Sequence, residues 1–380
     1  MGHDKLRKFA ENETFSCLLQ PSAQELLADG YFHLRDHAVK GRWNDFFSDR
    51  AAESAVPPEN RSHPRLRKRE GPAAEGSGRG PAQPDVFRGE LPICKQEKNI
   101  VLELGCGKGE YTIALAERDP ERNYVGVDIK GARLWKGAKY ATEHALPNVA
   151  FLRTRVEFIT AFFAPGEVSE IWLTFSDPQY RSENSRLCSP LFLERYRSFM
   201  RPGGIVHLKT DSRFLHEYAL AVCRANGLRI LARTTDLYGT SDASPSGGSP
   251  RQNFASLIPP TASQRVPPVH EATGGHGFAG ETPADAPHRD DGVFRGELPG
   301  GSAPSIPEEV RSVQTFYEQL FLEQGYPITY LSFVIDHEGP YVSPKDPEEF
   351  DSKAWRAAEG PRLLFGHDSA ETRRQKLASK

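Results

Sequence analysis

The feature that most constrains this chain is the stretch Ile100–Glu110, read together with Tyr124–Asp128. Ile100, Val101, Leu102 and Leu104 form a short apolar run broken only by Glu103, which predicts a strand. The run passes straight into Gly105-Cys106-Gly107-Lys108-Gly109-Glu110, after which Tyr111, Ala114, Leu115 and Arg118 recur at helical spacing. Strand, glycine turn and helix, in that order, open the nucleotide site of a doubly wound α/β fold. Glycine suits such a turn because the backbone must bend sharply and put no Cβ between itself and a ligand. A second apolar run, Tyr124-Val125-Gly126-Val127, ends in Asp128, about 20 residues further on, where a carboxylate can accept from both ribose hydroxyls.

Spacing separates the candidate ligands. Dinucleotide folds use G-x-G-x-x-G, whereas these glycines run G-x-G-x-G with Glu103 two residues ahead. A P-loop is excluded, since Lys108 is followed by Gly109 rather than Ser or Thr. The acidic-x-Gly-x-Gly-x-Gly form resembles the first motif of class I methyltransferases, which bind S-adenosylmethionine.

Hydrophobic content of 38% is low for 380 fully packed residues, and the 30 prolines and 33 glycines are clustered. Residues 1–47 read as an ordered extension. Residues 48–97 and 241–307 offer few apolar side chains to offset the entropy of ordering, which predicts disordered insertions. Each insertion carries one copy of Val-Phe-Arg-Gly-Glu-Leu-Pro, at Val86–Pro92 and Val293–Pro299. Two copies so distant cannot stack as a solenoid. The basic cluster Arg61–Arg69 reads as a solvated linker, and residues 337–380 as a flexible tail. Net charge is −3, so any nucleic-acid contact must use a local patch. Five scattered cysteines without C-x-x-C spacing predict reduced thiols in a cytoplasmic protein, with no zinc site or other metal. No apolar run reaches membrane-spanning length.

Between the insertions, α/β alternation is regular. Strands are expected at Val149–Leu152, Val168–Phe175, Ile205–Leu208, Leu228–Ala232 and Tyr330–Val334. Helices are expected at Gly131–Ala145 and Pro190–Arg201, and after a Ser212 cap. In such a sheet, ligands lie beyond the carboxyl ends of the strands. Four of those ends carry polar groups: Glu103–Gly109, Asp128, Ser176–Tyr180 and Lys209–Asp211. The expectation is that all four share one rim.

Several pieces now resemble one family, the bacterial tRNA (guanine-N7-)-methyltransferases. They are Leu102–Gly109, Tyr124–Ile129, Ala164–Val168, Leu173-Thr-Phe-Ser-Asp-Pro178, His207-Leu-Lys-Thr-Asp211 and Thr315-Phe-Tyr-Glu318. The likeness covers roughly 98–240 and 308–336, which would form one S-adenosylmethionine-dependent domain. It implies a Rossmann-like α/β fold, a seven-stranded mostly parallel sheet with helices on both faces. By the same resemblance Glu103, Gly105, Gly107, Asp128 and Asp177 bind S-adenosylmethionine, with Asp177 at the junction of cofactor and guanine as the catalytic residue. Arg181, Asp211, Thr315 and Glu318 bind the tRNA substrate, in whose variable loop the guanine lies. Two departures from the family pattern stand out. Arg155 occupies the place of an acid near the cofactor adenine, and Tyr180–Arg186 carries fewer cations than its counterpart, which weakens phosphate neutralisation.

The residue types agree with that chemistry. Guanine N7 holds a free lone pair at neutral pH, so no base need remove a proton. Positioning and negative charge beside a purine that becomes cationic are what the reaction requires. Two alternatives remain: an exocyclic-amine nucleic-acid methyltransferase, whose aspartate-proline-proline-aromatic motif Gln179 breaks, and a catalytically silent RNA-binding protein of the same fold.

Overall fold

The computed structural model describes residues 3–27, 34–54, 98–239 and 306–359. Both copies of the heptapeptide repeat, the Arg61–Arg69 cluster and nearly all of both insertions lie outside those residues. The chain divides into two compact units, Met1–Ser169 and Glu170–Lys380.

The first unit opens with α1 (His3–Asn12), the two-residue strand β1 (Leu18–Leu19), α2 (Ala23–Leu26) and α3 (Trp43–Ser54). Then come β2 (Ile100–Leu104), α4 (Glu110–Arg118), β3 (Asn123–Asp128), α5 (Gly131–Glu143) and β4 (Val149–Arg153). The four strands run parallel in the order β1-β4-β3-β2. Every residue of β2 and β3 is buried, as strands covered on both faces must be. The extension is packed rather than appended. Trp43 is wholly buried, stacks on Phe163 at 5.2 Å between centroids, and donates its indole N–H to the Phe162 carbonyl at 2.8 Å. Helix α3 therefore carries ordered structure to Ser54, beyond the boundary expected at residue 47.

In the second unit, β5 (Val168–Thr174), α6 (Pro190–Arg197), β6 (Met200–Thr210), α7 (Arg213–Ala225) and β7 (Ile230–Thr234) precede the second insertion. After it come α8 (Glu308–Ser312), α9 (Phe316–Glu323), β8 (Thr329–Val334) and α10 (Ser352–Glu359). The strand order here is β5-β6-β8-β7, with β8 antiparallel to both neighbours. Ser212 caps α7 as its sequence predicts, accepting from the Leu215 N–H at 3.1 Å.

The fold is α/β and Rossmann-like, but three expectations change. Eight strands appear among the described residues rather than seven, because the N-terminal extension contributes β1 to the edge beside β4. Pro202-Gly203-Gly204 does not separate helix from strand; α6 stops at Arg197 and β6 begins at Met200. Residues 337–359 are also not a flexible tail. Phe350 packs edge-on against Phe214 and Tyr218, Trp355 is buried, and Asn226 holds Val342 through both backbone groups. Single aromatic anchors dispersed in polar sequence supply that burial, which composition alone does not reveal.

Candidate active site

Gly105, Gly107 and Gly109 all take positive φ, at 79°, 60° and 73°. At Gly109 an added Cβ would sit 2.4 Å from the Phe151 ring, so that glycine is demanded by packing as well as by conformation. At Gly105 and Gly107 the same Cβ would meet nothing within 4 Å; the protein leaves that side of the turn open. Backbone N–H groups of Gly105 and Cys106 donate to the Val127 carbonyl, at 2.8 and 3.0 Å, folding the loop onto the end of β3.

Two buried carboxylates flank this loop. Glu103 Oε2 accepts from the Thr112 amide at 2.8 Å and from the Thr112 hydroxyl, so it supplies the cap that Gly109 cannot give α4. Asp128 Oδ2 accepts from the Gly107 N–H at 3.0 Å, and Oδ1 from the Lys130 N–H at 2.7 Å. Asp128 thus ties the end of β3 both to the glycine loop and to the start of α5. Burial first, and then the charges of Glu103 and Asp128, push the Cys106 thiol well above its ordinary range. It stays protonated and is no nucleophile. The unit therefore brings together Glu103, Gly105, Gly107 and Asp128 from the predicted set. Arg155 pairs with Glu157 at 3.3 Å and remains half-exposed.

The second unit holds the rest. Asp177 is exposed, three residues past β5, and its Oδ1 accepts from the Gln179 N–H at 3.0 Å. Phe175 and Gln179, on either side of Asp177-Pro178, both adopt positive φ, 50° and 47°. Left-handed non-glycine residues cost about 1–3 kcal/mol each and persist only where the surroundings hold them. Here the Phe175 N–H donates to the Lys209 carbonyl at 2.8 Å, which sets the end of β5 beside that of β6. Asp211, half-buried, lies two residues past that point. Arg181 is exposed. Arg186 is not a surface cation: it is buried, its guanidinium over Tyr218 and Phe214 at 4.2 and 4.8 Å, and its Nε donates to the Gln179 carbonyl.

Thr315 and Glu318 form a capping box at the start of α9. Glu318 is fully buried and pairs at 2.7 Å with Lys209, itself fully buried on β6. Glu318 also accepts from the Tyr238 hydroxyl at 2.7 Å, while the Lys209 ammonium donates to the Val310 and Val313 carbonyls at 2.6 and 2.9 Å. Burial pulls the Lys209 pKa below its ordinary value and pushes that of Glu318 above its own, and each charge opposes the other's shift. Tyr238, and the pairing of Lys209 with Glu318, are what sequence reasoning missed. The available signal was a lysine near the end of a strand whose neighbours are apolar, since a buried ammonium demands a partner.

Four predicted positions thus gather around a glycine turn; Asp177 and Asp211 follow the paired ends of β5 and β6, Thr315 and Glu318 join β6 through Lys209, and Arg181 lies exposed on the loop beyond Asp177. The described residues contain no group of His, Cys, Asp and Glu able to hold a metal ion. No helix among them is long and apolar enough to cross a membrane.

A glycine turn flanked by buried carboxylates on an α/β sheet suits a nucleoside-type ligand, and the family model that matches residues 97–244, described as a putative methyltransferase, gives the class. The tRNA (guanine-N(7)-)-methyltransferase of Christiangramia forsetii is 34% identical over 334 residues, which span 87% of this chain and 98% of that protein. The Bacteroides fragilis protein of the same name is 37% identical over 68% of this chain and 77% of its own length. The Porphyromonas gingivalis one is 50% identical over 42% and 63%. The chain belongs to the tRNA (guanine-N7-)-methyltransferase family.

Proposed function

We propose that this protein transfers a methyl group from S-adenosylmethionine to N7 of a guanine in the variable loop of tRNA. The observation that carries the reading is the outward carboxylate of Asp177, on a loop held by two left-handed residues, in a chain of this family. Strain retained around an exposed acid is expected of a positioning group.

The first unit offers what the cofactor needs. Its glycine turn is open where a Cβ would stand, and Asp128 keeps lone pairs beyond its two backbone bonds for ribose hydroxyls. Glu103 acts through α4 and the loop that precedes it. When bound, S-adenosylmethionine supplies an electrophilic sulfonium methyl. The protein's task is then alignment. Asp177 accepts from the guanine N1–H or exocyclic amine, and its charge offsets the positive charge that develops on the purine. Asp211 and Thr315 shape the nucleoside pocket. Glu318 holds them indirectly, since its oxygens are already engaged by Lys209, Tyr238 and Thr315. Arg181 contacts RNA phosphate. No proton need leave N7 before transfer, so no general base enters.

The cofactor assignment is tested by calorimetry with S-adenosylmethionine. Asp128→Ala should weaken binding by about 1–3 kcal/mol, the cost of a lost charge-assisted bond. An unchanged dissociation constant would remove Asp128 from the site.

A further inference from the structure

A charged surface lies along α1 and α5. Leu134, Gly137, Ala138 and Ala141 of α5 are buried, so Arg133, Lys136 and Lys139 face outward, following the exposed Lys130. Helix α1 is pinned alongside: Asn12 Nδ2 donates to the Gly131 carbonyl at 3.0 Å, and Trp135 Nε1 to Glu11 at 2.6 Å. Arg7, Lys8 and Lys139 all approach the Trp135 ring, at 5.3, 5.0 and 5.2 Å from its centroid. Across α1 and Lys130–Glu143 there are seven lysines and arginines against three carboxylates, in a chain of net charge −3. Beside Trp135 the surface dips into a groove of about 540 Å³ between α4 and α5, walled by Lys108, Lys136 and Lys139 and by Glu110, Glu117 and Glu143.

Arg7, Lys136 and Lys139 pair locally with Glu11, Glu110 and Glu143, at 2.6, 3.5 and 3.6 Å, yet cations still outnumber carboxylates here in a chain that is negative overall, so the face is not the balanced mosaic of an ordinary solvated helix. Cations interleaved with an aromatic ring and a groove are instead the footprint of a nucleic-acid strand. Four basic positions from Lys130 to Lys139 cover about 13 Å of helix axis, enough to meet roughly four phosphates of one duplex strand. The loop after Asp177 does not meet that need. With Arg186 buried under aromatic rings, Arg181 is the exposed cation left among Tyr180–Arg186. The face also begins two residues past Asp128.

The geometry points to the α1–α5 face as a docking surface for the phosphodiester backbone of the RNA substrate, a reading that rests on the function proposed above. The surface carries no base recognition; it holds the RNA while other residues select the guanine.

The test replaces Arg133, Lys136 and Lys139 with Gln in the full-length protein and measures binding of unmodified tRNA across a salt series. The dissociation constant is expected to rise at least tenfold near physiological salt. The slope of log affinity against log salt should fall by about 2–3, close to one per lost phosphate contact. S-adenosylmethionine affinity, and turnover at saturating tRNA, should stay within about twofold. If the triple variant fails to fold, the Arg133→Gln/Lys136→Gln pair, exposed on the same face, is read the same way with a slope loss of about 2. Unchanged affinity and slope, with wild-type protein still methylating tRNA, would overturn the surface and leave the function standing. Wild-type protein that neither binds nor methylates tRNA would overturn both.

Discussion

Asp177→Asn is expected to lower turnover by at least about a hundredfold while leaving tRNA affinity nearly unchanged. The substitution isolates charge from structure. Asp177 Oδ1 accepts from the Gln179 N–H, and an asparagine carbonyl can make the same bond, so the turn should survive. The negative charge does not survive, and one acceptor becomes a donor that repels the guanine N1–H. A purine acquiring positive charge loses its nearest compensating group, and a misalignment of about 1 Å already costs on the order of a hundredfold. Phosphate contacts dominate RNA affinity and are untouched. Single-turnover methylation under saturating cofactor reads the effect. A near-normal rate would return Asp177 to the role of a turn residue.

Lys209→Met should cost about 3–5 kcal/mol of stability, the range for breaking a buried ion pair from one side. The loss comes less from the missing attraction than from Glu318, left charged and buried with only Tyr238 and its own capping contacts. Val310 and Val313 lose their donor at the same time, freeing the segment that leads into Thr315. Replacing both partners, as in Lys209→Met/Glu318→Leu, should recover much of the loss, because no lone charge then stays buried. Urea unfolding of the two single variants and the double closes the cycle. Additive single losses with no coupling would show that the pair is not the element joining α9 to β6.

Much of this site was legible because its logic is local. Glu103, the glycines and Asp128 fall within one strand-turn-helix-strand passage whose spacing is fixed by covalent geometry, and the structure sets them around one turn. What the sequence hid depends on distance. Lys209 and Glu318 meet across an insertion that separates them by 109 positions, and no periodicity connects such a pair. Arg186 read as a loop cation because nothing in Tyr180–Arg186 signals the Phe214 and Tyr218 rings beneath it. Strand β1 is two residues long, too short for any alternation to register. The ordered segment after residue 337 escaped for a related reason: Phe350 and Trp355 are lone anchors within a polar run.

Helix α10, the last among the described residues, adds a link that composition also concealed. Glu359 accepts from the Ser212 hydroxyl at 2.7 Å and from the Phe214 amide at 3.1 Å, while Arg356 donates to the Tyr180 carbonyl. One helix thereby braces both the start of α7, next to Asp211, and the loop that follows Asp177. Rigid support of this kind is what alignment chemistry requires.

Transfer of the methyl group to guanine N7 leaves its signature in the product nucleoside. Undermodified tRNA is incubated with methyl-labelled S-adenosylmethionine and the protein, then digested to nucleosides and separated by mass and retention. Label is expected in 7-methylguanosine, with chain scission after borohydride and aniline treatment at a single variable-loop guanine. Label on an exocyclic amine, or cofactor binding with no transfer to tRNA, would contradict methylation at N7.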